Sequence, residues 1–131
     1  MTSKTQLLAI LVVFSSVTGA QTPAPGQRGN KLFRETCIGC HSVACNRLGP
    51  KLEGLFGRKA GSVADFKGYS PELQASGIVW TDETLDNFLR DPVKMVPGTS
   101  MSFVGRIEKA SDRKDLIAFM RRQDRSFDLC P

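Results

Sequence analysis

The sequence predicts an all-α fold of short helices joined by long loops. Apolar residues recur at helical spacing in three separate stretches, and polar caps and prolines stand where helices would begin. No stretch alternates apolar and polar residues for long enough to make a convincing strand. The segments between, such as residues 54–69 ("GLFGRKAGSVADFKGY") and 96–106 ("VPGTSMSFVGR"), contain glycine and read as loops.

Taken in order, the first twenty residues combine a basic Lys4, an apolar run from Leu7 to Phe14 and small residues ending at Ala20. This is the pattern of a secretory signal peptide, and the run is shorter than the roughly 20 residues that span a bilayer. The expected organisation is therefore a signal over 1–20, a flexible Pro/Gly-rich tether over 21–28 and one domain over 29–131. Gly29, Phe33 and Cys37 recur at four-residue spacing and define one face of a first helix. Ser70 and Pro71 read as the N-cap and first position of a short second helix. A third runs from the Thr81 cap to a stop at Pro92, with early acids and an apolar face of Leu85, Phe88 and Leu89. In the last, Ser111 is the expected cap and Leu116, Ile117, Phe119 and Met120 the buried stripe; Arg121, Arg122 and Arg125 suit its C-terminal end.

Four short helices make a thin core for one domain, and a large apolar group in the centre would fill it. The net charge of +5 is modest and scattered, and the cations do not interleave with aromatics, so nucleic-acid binding has little support. Acidic protein partners or peripheral contact with an anionic membrane suit it better.

The chemistry concentrates in "CIGCH", residues 37–41, which contains two of the four cysteines and the single histidine. Thiols at C-x-x-C spacing can be bridged, share a metal, or add to two vinyl groups on one edge of a porphyrin. The adjoining histidine favours the last, because C-x-x-C-H is the attachment sequence of c-type haem: Cys37 and Cys40 form thioethers and His41 becomes an axial iron ligand. A thioredoxin-like redox pair would need a strand and an α/β sheet. A zinc site would have to draw on Cys37, Cys40, Cys45 and either Cys130 or His41, without the second C-x-x-C or H-x-x-x-H half that usually accompanies it.

From Gly29 to Phe119 the sequence resembles a class I cytochrome c of the mitochondrial and bacterial electron-carrier type. The resemblance rests on "CIGCH", "GPKLEGLFGRKAG", "GIVWTDETLDNFLRDPVKMVPGTSM" and "DLIAFM", in that order. It implies a compact cytochrome c fold of short helices and long loops wrapped around one haem c, attached through Cys37 and Cys40. Met101 in "VPGTSM" matches the axial methionine, a soft neutral thioether that favours ferrous iron. Pro50 matches the residue whose carbonyl accepts the proton of the ligand imidazole. Arg58, Tyr69, Trp80 and Thr99 match positions around the haem propionates, and Phe103 the aromatic that covers the methionine side. Gly29 and Phe33 match first-helix residues that cross the last helix at Leu116 and Phe119. With both axial positions filled, the resemblance implies an electron carrier rather than an enzyme. The alternative is a haem-based ligand sensor or peroxidase-like protein with a labile Met101.

Departures from the family pattern are informative. Phe88 stands where a tyrosine commonly approaches the methionine sulfur, which implies a somewhat lower reduction potential. The segment from His41 to Gly49 is about three residues shorter than in the mitochondrial proteins. Thr36, Val93 and Ser100 replace lysines that often ring the haem edge, leaving Lys31, Lys94 and Arg106 as docking charges and implying weaker electrostatic steering. Cys45 and Cys130 are unusual for the family. Exported to an oxidising compartment and brought together by the crossing of first and last helices, they are expected to form a disulfide, contributing about 4 kcal/mol on the loop-entropy model. The expected setting is a bacterial periplasm after cleavage near Ala20. The expected protein is a monomer, and its partners are a bc-type complex, a terminal oxidase, a reaction centre or a periplasmic dehydrogenase.

Overall fold

The computed structural model describes residues 25–103, 106–126, 128 and 130. The signal-peptide expectation over 1–20 lies outside these residues. Five α-helices follow in order: α1 (Pro25–Thr36), α2 (Pro71–Ala75), α3 (Asp82–Arg90), α4 (Pro92–Met95) and α5 (Ala110–Arg122). A 3₁₀ turn over Ser100–Phe103 precedes α5. The described residues form no sheet; one isolated bridge pairs Lys59 with Val79.

The crossing of α1 and α5 organises the domain. An added Cβ at Gly29 would lie 2.0 Å from the Asp115 carbonyl oxygen and 2.9 Å from the Phe119 Cβ, so the two backbones meet where α1 has no side chain. Phe33 and Phe119 stack beside this point with ring centroids 4.9 Å apart, and Phe119 and Leu116 are fully buried. Arg28 pairs with Asp115 at 2.9 Å, and the Arg122 guanidinium donates to the Gly26 carbonyl at 2.9 Å. These contacts explain why α1 begins at Pro25 and takes in residues 25–28, which the sequence reading gave to the tether. Proline suits the first helical turn, and the residues after it have partners on α5.

Local chemistry sets the other boundaries. Ser70 caps α2 by accepting from the Leu73 amide, and Thr81 and Thr84 form a reciprocal capping box on α3. Pro92 does end α3, but it also opens α4, a turn that the sequence reading passed over. Asp91 provides the switch: its amide closes α3 on Asn87, and its carboxylate caps α4 by accepting from Lys94. Ser111 is not the cap of α5. The helix starts one residue earlier, after Lys109, with no side-chain cap. Its entry is held instead by the buried Arg113, which donates to the carbonyls of Ile107 (2.8 Å) and Glu108 (2.7 Å) and to Asp86 of α3 (2.7 Å). Arg125 lies beyond the end of α5 and pairs with Glu53 rather than with the helix terminus.

The expected apolar faces are the ones buried: Leu85, Phe88 and Leu89 on α3, and Leu116, Ile117, Phe119 and Met120 on α5. They join one hydrophobic cluster, and Leu85, Phe88, Leu89, Leu116 and Met120 of it also line a cavity. Cys45 and Cys130 lie outside that cavity, bonded to each other with Cα atoms 5.8 Å apart.

Candidate haem site

The "CIGCH" segment continues the course of α1. The Cys37 amide donates to the Phe33 carbonyl (2.8 Å) and the His41 amide to the Cys37 carbonyl (2.9 Å), so one further turn carries both thiols and the imidazole. All three side chains line the same cavity, of about 340 Å³, within the range of roughly 300–1,000 Å³ usual for cofactor clefts. Burial holds the Cys37 thiol above its ordinary pKa, partly offset by the Thr36 hydroxyl 3.3 Å from its sulfur. The thiol is therefore uncharged at neutral pH.

The chain then turns back on itself, and the Gly49 amide donates to the Cys40 carbonyl at 2.9 Å. This brings the Pro50 carbonyl to 2.8 Å from His41 Nδ1. Burial lowers the pKa of His41, with the Pro50 bond acting in the opposite sense. A neutral imidazole that donates from Nδ1 keeps the lone pair of Nε2 for a metal. Gly49 is required by this geometry: a Cβ there would stand 2.3–2.7 Å from three atoms of the His41 ring. The sequence reading quoted Gly49 within a motif but gave it no role, because the collision exists only once the loop has folded over the ring.

Arg58, Tyr69, Trp80, Thr99 and Met101 all reach the cavity from other parts of the chain. The Arg58 guanidinium donates to the carbonyls of Glu53 (2.7 Å) and Lys51 (2.9 Å), which hold its charge at the wall; burial lowers its pKa. Tyr69 accepts from the Val63 amide at 3.3 Å, and burial raises its pKa. Trp80 meets Phe88 edge to face with centroids 5.1 Å apart, so the phenyl ring of Phe88 belongs to the same wall. Thr99 is buried and its hydroxyl accepts from the Met101 amide at 3.3 Å, an interaction with the methionine backbone that the resemblance did not suggest. Met101 itself sits at φ −79°, ψ 16°, a kink inside the 3₁₀ turn. The side chain of Phe103 is outside the described residues.

Most of the remaining lining is aliphatic or aromatic, including Leu52, Leu55, Phe66, Leu73 and Met120. Met120 belongs to the predicted helix stripe, whereas Leu52, Leu55 and Phe66 sit on loops and Leu73 on the one-turn helix α2, where no periodicity marks them. The zinc alternative loses its extra thiols, because Cys45 and Cys130 are spent on each other. Two thiols, an imidazole that keeps Nε2 free, a thioether and a largely apolar wall fit a haem.

A family model described as "Cytochrome c" matches residues 26–124. The chain belongs to the cytochrome c family. The cytochrome c of Arabidopsis thaliana is 43% identical over 100 residues, covering 74% of this chain and 88% of the plant protein. Cytochrome c 2.1 of Caenorhabditis elegans is 41% identical over 96 residues, covering 72% and 85%. Among solved structures, cytochrome cH from Methylobacterium extorquens superposes with a TM-score of 0.69 at 39% identity, covering 74% of this chain and 97% of its own. As a cytochrome c, the protein carries one haem c attached covalently through Cys37 and Cys40 and is a haem-based electron carrier. The α1–α5 crossing places the end of α1, and hence both attachment thiols, at the edge of the apolar cavity.

Proposed function

We propose that this cytochrome c is a soluble, exported, non-enzymatic carrier with His41 and Met101 as the two axial ligands. The observation that carries the reading is the 2.8 Å contact between His41 Nδ1 and the Pro50 carbonyl, in a cavity that Met101 also lines. When bound, the haem supplies a one-electron ferric/ferrous couple. Cys37 and Cys40 would fix its edge and His41 would supply one iron ligand, with Pro50 setting the orientation and basicity of the ring. Met101 would supply the other, which would leave no position for oxygen or peroxide. Phe88, Trp80 and the aliphatic wall keep water out, which limits the reorganisation that accompanies a change of charge. Arg58, Tyr69, Trp80 and Thr99, which line the cavity, would lie around the propionates as the family resemblance implies.

Docking would rely less on cations than a lysine ring would allow. Of the three candidate docking charges, Lys31 pairs with Glu35 at 3.8 Å and Arg106 with Asp91 at 3.1 Å. Exposed Lys94 is the third. Association with a bc-type complex, terminal oxidase, reaction centre or periplasmic dehydrogenase should therefore fall only shallowly with salt. The Cys45–Cys130 disulfide would form after export to the periplasm and act as a structural tie.

The test is an optical spectrum of the purified holoprotein, oxidised and then reduced, with carbon monoxide added to the reduced form. A sharp low-spin c-type spectrum with a sulfur-to-iron charge-transfer band when oxidised, and no response to carbon monoxide, is expected. A carbon monoxide adduct at neutral pH would make Met101 labile and favour a ligand sensor or peroxidase-like protein.

A further inference from the structure

The loop that follows His41 is short, and several of its backbone groups are paired with nearby residues. The Ser42 carbonyl accepts from Leu52 (3.0 Å) and the Val43 carbonyl from Glu53 (2.8 Å). The amides of Val43 and Ala44 find their partner elsewhere, although Val43 is only 1% exposed and its amide is cut off from water. Both are taken by one carboxylate far along the chain: Asp128 Oδ1 accepts from Val43 at 2.7 Å and Oδ2 from Ala44 at 3.0 Å. Consecutive amides converging on an anion make short, charge-assisted bonds.

We propose that the described residues of 123–130 form a strap over the axial-histidine loop, and that Asp128 is a positioning residue for His41. The strap grips both arms of the loop. On one arm, Asp128 holds residues 43 and 44, and the disulfide from Cys130 reaches Cys45. On the other arm, Gln123 accepts from the Gly54 amide at 2.9 Å and Arg125 pairs with Glu53. Gln123 also turns the chain out of α5, since it is the single non-glycine with positive φ (52°) among the described residues. Pro50 lies on the loop between these two grips, and His41 stands two residues before the first of them. The 2.8 Å contact from Nδ1 to the Pro50 carbonyl depends on how the arms are spaced. Where the loop has been shortened relative to its mitochondrial counterparts, the strap supplies from outside the constraint that fixes this spacing.

The inference rests on His41 being an axial ligand. Loss of the strap lengthens the Nδ1–H···O contact, makes the imidazole less basic and stabilises ferric iron less, so the midpoint potential rises. The experiment uses holoprotein carrying Asp128→Ala, Asp128→Asn or, as a control for stability alone, Arg28→Ala, which breaks ion pairs between α1 and α5. Asp128→Ala should raise the potential, shift the His41 Nδ1–H resonance and speed exchange of the Val43 and Ala44 amides about tenfold or more. Asp128→Asn keeps one carbonyl acceptor and should fall between wild type and Asp128→Ala; Arg28→Ala should lower the denaturation midpoint without moving the potential. If Asp128→Ala does not fold, Asp128→Asn and amide exchange in the wild type still decide. Unprotected Val43 and Ala44 amides in the wild type, or an unchanged potential and imidazole resonance in a folded Asp128 variant, would overturn the proposal. A wild-type spectrum without histidine ligation would instead overturn the functional reading beneath it.

Discussion

The two sides of the cavity are built by different means. On the histidine side, the side chain is held to Pro50, the backbone is crossed by bonds to residues 52 and 53, Gly49 lies directly against the ring, and the chain's C-terminal segment is laced over the outside. On the methionine side, Met101 occupies a kink in a 3₁₀ turn between exposed Ser100 and Ser102, and its amide is held by the Thr99 hydroxyl alone among the bonds described. Its constraint comes from further away. Ile107 bonds to Leu89 at 3.0 Å, and Arg113 clamps the carbonyls of Ile107 and Glu108 against α3. The contrast teaches that a ligand can be fixed by its immediate neighbours or by the two ends of its loop.

The sharpest way to break the comparison is Gly49→Ala. The new methyl group would occupy space taken by the His41 ring, and relief requires either the ring or the loop to move. A loss of about 3 kcal/mol in stability and disturbance of the low-spin spectrum are expected, read by denaturant titration and optical absorption. A normal spectrum at wild-type stability would show the histidine side to be less rigid than the geometry requires.

Arg113→Met should come next. It leaves two carbonyls without their donor and the Asp86 carboxylate with Arg90 alone, costs about 2 kcal/mol, and should weaken the oxidised charge-transfer band as the methionine loop loosens. Its pH signature is specific. Hydrogen bonding from Arg113, followed by that from Arg90, holds the Asp86 carboxyl below the usual carboxylate range. A carboxylate depressed in the folded state contributes stability above its unfolded pKa of about 3.9, and that contribution disappears as pH falls through the lower folded value. The gap between wild type and Arg113→Met in urea titrations should therefore narrow below about pH 4.

Thr99→Val keeps the shape of a buried residue and deletes the acceptor for the Met101 amide. A cost near 1 kcal/mol is expected, with carbon monoxide binding to the reduced protein, absent in the wild type, reaching a measurable rate while the His41 resonances stay in place. Such binding accompanied by shifted imidazole signals would show that the two sides are coupled. The smallest effect belongs to Phe88→Tyr, which adds a hydroxyl to the wall formed with Trp80. A slight rise in midpoint potential is expected in a redox titration; no rise would mean that the sulfur of Met101 does not sense this position.

The identity of the site was legible because its chemistry is contiguous. Residues 37–41 hold both thiols and the imidazole; helical spacing marked Gly29 and Phe33 on one face and Leu116 and Phe119 on another, and the family resemblance implied that the two faces cross. The caps of α2 and α3 were also readable, since each is a side chain bonding to a backbone three residues away. The start of α5 was not, because a distant arginine replaces the local cap there.

By itself, then, the amino-acid sequence determined the helical class, the covalent attachment points and the family to which the chain belongs, all of which depend on neighbours within a few positions. Tertiary structure alone decided why residue 49 must be glycine, how Arg113 anchors the methionine loop and where Asp128 binds. Each of these joins groups remote in sequence through a distance of a few ångströms, and Asp128 and Val43 are separated by 85 positions. Periodicity and motifs report what a residue's neighbours along the chain are, whereas a steric collision or an amide left without water exists only after the chain has closed on itself.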